Sequence, residues 1–234
     1  MREEVTKKFI EFVIAQNISI QRLGVVGGTS LDPEVSYLLE KNPNLEIHFF
    51  DIQNSNNEAN FHYCDLNRAD ISEGFHHYFD LVLSSQVIEH IWNHGTYFNF
   101  LITIIKPGSF IWVNCPTSNL VHGSPDYYSA GMTSSYIVKN LENRNAKTLY
   151  SGQLGNKRYY LATHFARYWQ TPRENRHPVF GYNFQKGTVL GVAKKFISEL
   201  PSRVLLVFFT NKHDAEYVYS TEAYVAAQAG VIKS

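Results

Sequence analysis

Four polar groups in the first 90 residues each follow an apolar run, and together they have the side chains to hold a nucleoside. Gly27-Gly28-Thr29 closes the run 20–26, Asp51 follows 45–50, and Asp65 follows Phe61 to Tyr63. Ser85-Gln86 ends the run that Asp80 introduces, and Glu89-His90 comes shortly after. A glycyl turn lets backbone N–H groups approach a charged or zwitterionic group closely. A carboxylate at Asp51, 24 residues beyond Gly27, can accept both hydroxyls of a ribose. One at Asp65 can receive the amino group of a base. Each signal is weak alone, since acids after strands are often turn formers or helix caps. The ordered set is more specific.

The elements that must position these groups follow from periodicity. Val5, Phe9, Phe12 and Val13 share one face of a helix over 3–16, expected to lie across the sheet edge. Asp32-Pro33 starts a second helix. The polar stretch Asn54 to Asn60 stands where a further helix could have been. Residues 79–84 and 109–115 read as strands. Glu89-His90 reads as the beginning of the intervening helix, which continues through Tyr97 to Ile105 and is stopped by Lys106-Pro107-Gly108. Strands alternating with helices predict an α/β, doubly wound, mostly parallel sheet with its strand C-termini on one rim. Helices are expected at 133–144, 188–200 and 221–229, with a strand at 203–210 paired to 216–220. The chain reads as a single domain over 1–234. An aromatic and arginine-rich insertion at 156–186 is expected to act as a lid.

Lys plus Arg and Asp plus Glu are equal at 21 each, which argues against nucleic-acid and membrane-surface partners. Cys64 and Cys115 lack metal-type spacing and read as buried free thiols in a reducing cytoplasm. No apolar run approaches the ~20 residues that span a bilayer, and the first residues do not form a signal peptide.

The stretch Phe79 to His90, with Ile105-Lys106-Pro107-Gly108, resembles the fourth strand and the turn before strand five of the class I S-adenosylmethionine-dependent methyltransferases. The resemblance covers about residues 20–128. It implies a Rossmann-like sheet of about seven strands and S-adenosyl-L-methionine as cofactor. It assigns Gly27, Gly28 and Thr29 to the methionine end, Asp51 to the ribose, Asp65 and Leu66 to the adenine, and Ser85 and Gln86 to the floor, with Val26 and Ile52 as further cofactor-binding residues. The chain departs from that pattern in three ways. Strand one (Leu23-Gly24-Val25-Val26) has no acid, Thr29 takes the second glycine position, and the helix between strands two and three is missing. A nicotinamide-binding domain is the competing reading, but Gly24, Gly27 and Gly28 have the wrong spacing for its fingerprint.

Methyl transfer needs an acceptor at near-attack distance and, for a hydroxyl, a base. His122 in His-Gly-Ser-Pro-Asp-Tyr is the preferred base, with Asp126 orienting it or a substrate hydroxyl. This loop resembles one in methyltransferases encoded with glycan biosynthesis genes, although Gly123, Pro125 and Asp126 would also build a simple turn. Glu89 and His90 are the second pair, or else a helix-start acid beside a packed histidine. No metal-ligand spacing is present. The aromatic and arginine residues of 156–186 suit a nucleotide sugar or glycan precursor, or simply pack the insertion. O-methylation of such a small molecule is the leading expectation. Another small metabolite with an N or O acceptor and a non-catalytic cofactor-binding subunit are the alternatives. The helices expected at 3–16 and 221–229 would serve a homodimer interface or cover the sheet.

Overall fold

Runs that are apolar on both faces fold as interior strands of a parallel sheet. The computed structural model describes residues 2–68, 74–118, 128–155, 160 and 220–230. Its elements are α1 (Arg2–Ala15), β1 (Arg22–Val26), α2 (Pro33–Lys41), β2 (Glu46–Asp51), β3 (Phe61–Tyr63), β4 (Phe79–Ser85), α3 (His94–Ile104), β5 (Ile105–Pro116), α4 (Ser134–Glu142), β6 (Lys147–Leu154) and β7 (Glu222–Gln228). The spatial order is β3-β2-β1-β4-β5-β7-β6. β3 to β5 pair in parallel with their neighbours and β7 runs antiparallel to β5. This is the expected Rossmann-like α/β sheet. The order reverses between β1 and β4, where open α/β sheets leave a crevice beyond the strand C-termini.

The chain forms two compact units, Met1–Gln153 with Glu222–Ser234, and Leu154–Thr221. In the second, the Thr221 amide donates to the Leu154 carbonyl at 2.8 Å, so the ends of that unit meet. Apart from Tyr160, the expected insertion at 156–186 lies outside the described residues, as do the elements expected at 188–200, 203–210 and 216–219.

In the first unit, helices cover both sheet faces. Phe9 and Phe12 of α1 set their rings 5.3 and 5.9 Å from that of Trp112 in β5. α1 therefore lies on the sheet face and not across its edge, because β7 and β6 continue the sheet beyond β5. On the opposite face, Tyr97, Phe98, Leu101 and Ile104 of α3 and Ile137 and Leu141 of α4 join one cluster with Phe50, Val82 and Val113. Each such burial contributes about 1.5–3 kcal/mol.

Three local expectations are corrected. Residues 222–228 form the buried strand β7, not a surface helix. Ala223, Val225 and Ala227 face the α3–α4 cluster, while Tyr224 stacks on Trp112. Small side chains there let helices pack closely on a central strand. Glu89-His90 lies in an isolated 3₁₀ turn, Ile88–His90. α3 starts only at His94, where the Asn93 side chain accepts from the Thr96 amide. Lys106-Pro107-Gly108 lies inside β5, which begins at Ile105; the register against β4 shifts between Phe79 and Leu81 to absorb it.

Asp80 fastens the entry to the sheet. Its Oδ2 accepts from the amides of Gln21 and Arg22 at 3.0 and 2.9 Å, and its Oδ1 pairs with Lys106. Burial would raise the carboxyl pKa, but the Lys106 ammonium and the two amides outweigh it and hold it below the ordinary value. A depressed carboxyl pKa contributes stability that is present above the unfolded value of about 3.9 and lost as pH falls through the folded one. Asp80→Asn is expected to cost about 1–2 kcal/mol at pH 7. It should also flatten the loss of stability below pH 4, as read by denaturant titrations at several pH values. An unchanged acid limb would show that Asp80 does not set it.

Candidate functional site

The crevice at the β1/β4 switch point is a cleft of about 720 Å³, lined among others by Gly27, Asp51, Asp65, Leu66, Gln86 and His90. The strand ends bring these together from widely separated sequence positions.

Gly27 follows β1 with φ +70°, a left-handed conformation that favours glycine, and its amide donates to the Phe50 carbonyl at 2.8 Å. A Cβ here would stand 2.4 Å from Cγ2 of Val87, so the turn passes against the loop after β4 with no room to spare. The Asp32 side chain does not cap its own helix. Its Oδ2 accepts from the Thr29 amide at 3.1 Å, holding the loop closed.

Asp51 ends β2 beside Gly27. Its Oδ1 accepts from the Ile52 amide at 2.6 Å. Burial pushes its carboxyl pKa up, against the opposing pull of the Ile52 and Gln53 amides. The carboxylate is thus oriented by the main chain while retaining acceptor capacity for a diol. Asp65 accepts from the Asn67 amide at 3.0 Å and pairs with Arg68 Nε at 3.2 Å, so it also builds its own turn.

After β4, Gln86 adopts φ +60°, an uncommon conformation for a non-glycine residue and one that clusters at functional sites. Its amide donates to the Asn114 carbonyl, and its Nε2 donates to Asn114 Oδ1 at 3.2 Å and Glu222 Oε2 at 2.9 Å. Asn114 Nδ2 in turn donates to Ser85 Oγ at 2.8 Å. The ends of β4, β5 and β7 are thus joined by one polar network under the cleft.

This fold recurs in known proteins. Solved structures similar to this chain include phosphoethanolamine N-methyltransferase 2 of Haemonchus contortus in complex with S-adenosyl-L-methionine (15% identity, TM-score 0.54, 94% of this chain and 52% of that one). A SAM-dependent methyltransferase of Archaeoglobus fulgidus is similar at 13% identity and TM-score 0.52, over 97% and 94% of the two chains. The [4+2]-cyclase SpnF is similar at 11% identity and TM-score 0.55, over 97% and 80%. The fold is that of the Rossmann-like methyltransferases. This chain spans about half the length of the Haemonchus enzyme. Neither a family model nor a curated protein sequence matches it.

Within this methyltransferase fold, Gly27, Asp51, Ile52, Asp65, Leu66 and Gln86 line the cleft, as does His90. Val26 is buried beneath it, with its carbonyl accepting from Ser84 Oγ. Gly28 packs against Asp32, where a Cβ would lie 2.5 Å from Oδ2. Thr29 and Ser85 are engaged in the loop and network described above. Glu89 is fully buried, and its carbonyl accepts from the amides of Tyr128 and Ser129 at 3.0 and 3.2 Å, tying that segment to the post-β4 turn. His122 and Asp126 lie outside the described residues. Among the described residues, no group of His, Cys, Asp and Glu is arranged to hold a metal ion.

Several cleft residues escape sequence reasoning. Tyr63 and Trp92 line it while 73% and 60% exposed, and Tyr128 joins them. Asn67 Oδ1 accepts from the amides of Trp92 and Asn93 at 2.9 and 3.2 Å, pinning the post-β3 and post-β4 loops together. Exposed aromatics beside a rim were the one available signal; nothing marked Asn67, Asn114 or Glu222.

Proposed function

We propose that this chain is an S-adenosylmethionine-dependent methyltransferase that O-methylates a small molecule, a sugar or glycan precursor. The observation that carries the reading is Gly27 and Asp51 facing one cleft at the switch point of this sheet. The cofactor supplies an electrophilic methyl group when bound. Asp51 is suited to accept from the ribose hydroxyls, Gly27 to let the methionine end approach without a Cβ, and Ile52 and Leu66 to flank the adenine. Much of the acceleration can then come from holding the acceptor in line.

His122 removes the acceptor proton, with Asp126 orienting it. Tyr128, two residues beyond Asp126 in the chain, lines the cleft, and that supports the reading. His122→Ala is expected to lower turnover by about 10²–10⁴-fold. S-adenosylhomocysteine affinity in that variant should stay within about twofold of wild type. Full activity in the variant would remove His122 from the mechanism.

A second reading is transfer to nitrogen, motivated by the Haemonchus neighbour, a phosphoethanolamine N-methyltransferase. A panel of nucleotide sugars and small amines with a labelled methyl donor separates the two. SpnF, a cyclase on the same fold, shows that the fold alone does not set the reaction. Calorimetry with S-adenosylhomocysteine comes first: an intact protein that binds none would be a scaffold subunit. The same preparation, run by analytical ultracentrifugation, decides between monomer and homodimer.

A further inference from the structure

Parallel neighbours in a sheet are ordinarily joined by a dozen or more residues, commonly including a helix. Between β2 and β3 the connection is only residues 52–60, with no helix. The segment is closed on itself: the Glu58 amide donates to Asn54 Oδ1 at 2.7 Å, and Asn54 Nδ2 donates to the Glu58 carbonyl at 3.2 Å. Asn57 takes the left-handed conformation the turn requires, with φ 55°. This compact turn delivers the Glu58 side chain to the glycine loop after β1. There Oε1 accepts from both the amide and the hydroxyl of Ser30, at 2.9 and 2.8 Å. The neighbouring Thr29 amide is already taken by Asp32. Two successive amides after the glycines are therefore bound to the protein's own carboxylates. The loop is held in shape from inside.

We propose that Glu58 is a positioning residue for the cofactor: it fastens the loop carrying Gly27 to the loop that follows Asp51, so that both ends of the cofactor meet a preformed wall. This rests on the methyltransferase reading above. The missing crossover helix is then compensated by one side chain. Because Glu58 acts as a hydrogen-bond acceptor and not through its charge, glutamine can replace it.

The test combines calorimetry with S-adenosylhomocysteine and amide hydrogen exchange over residues 28–31, on the full chain. Glu58→Ala is expected to raise the Kd about tenfold, through lost preorganisation, and to speed exchange at Ser30. Glu58→Gln should stay within about threefold of wild type. Ser30→Ala, which deletes only the hydroxyl bond, should raise the Kd about threefold and serves if Glu58→Ala does not fold. A wild-type Kd in Glu58→Ala, or in Ser30→Ala where only that variant folds, would overturn the proposal. So would Glu58→Gln binding as weakly as Glu58→Ala, since charge would then be responsible. If wild type binds no S-adenosylhomocysteine, the cofactor reading fails and the positioning role with it. The exchange data would still show whether Glu58 restrains the loop.

Discussion

Asp51→Asn is expected to weaken S-adenosylhomocysteine binding about 100-fold while raising the melting temperature at pH 7. The first effect follows from replacing two charge-assisted hydrogen bonds to a ribose with neutral ones, each bond to a charged group being worth about 1.5–3 kcal/mol. The second follows from burial, which raises the Asp51 carboxyl pKa above its ordinary value. A carboxyl whose folded pKa exceeds the unfolded one contributes stability below the unfolded value, and that contribution is lost as pH rises through the folded one. At pH 7 the ionised group therefore opposes folding. Asparagine removes the charge and can still accept from the Ile52 amide. Such an exchange of stability for function is common at binding sites. Wild-type affinity should also fall as acidification protonates Asp51, whereas the variant should be flat over that range. Calorimetry and thermal unfolding on the same samples check both halves. Unchanged affinity in Asp51→Asn would remove the ribose from this position.

Gly27→Ala is expected to lower the melting temperature by roughly 10 °C and to abolish binding. The left-handed φ of +70° costs an L-residue about 1–2 kcal/mol. The new Cβ would meet Val87 Cγ2 and Cγ1 at 2.4 and 2.9 Å, adding about 1–3 kcal/mol of overpacking. At this chain length each kcal/mol moves the midpoint by about 2–4 °C. A double-mutant cycle with Val87→Ala separates the two costs. The alanine at 27 should cost less in the Val87→Ala background, because the contact is relieved and the backbone strain is not. Equal costs in both backgrounds would show that the contact with Val87 is unimportant.

The strands that lead to Gly27 and Ser85 were legible because interior parallel strands are nearly continuous apolar runs. Each such run ended where a polar residue reached the rim. β7 was not legible. Ala223, Ala226 and Ala227 are strong helix formers, and only the tertiary need for small side chains between β5 and the helices makes them a strand. Glu89-His90 reads as a helix start by residue type, yet Asn93, with Asn67 bonded to its amide, sets the helix boundary four residues later. The same limit applies to the site. Acids and glycines at strand ends announce themselves, whereas Asn114, Glu222 and Glu58 act through partners far away in the chain. Gln86 shows both sides: it stands out as a polar residue ending an apolar run, but its bond to Glu222 spans 136 positions and no local pattern contains it.

The placement of β7 bears on how the molecule is made. It is drawn from residues 222–228, yet it lies between β5 and β6, which the ribosome has produced long before. Until it emerges, the side of β5 that pairs with β7 is unzipped and open to mispairing with other polypeptides. Glu222, which steadies Gln86 beneath the cleft, arrives on that same late segment. The Gln86–Glu222 bond of the pocket floor and the β5–β7 pairing therefore form together, once residues 222–228 are made.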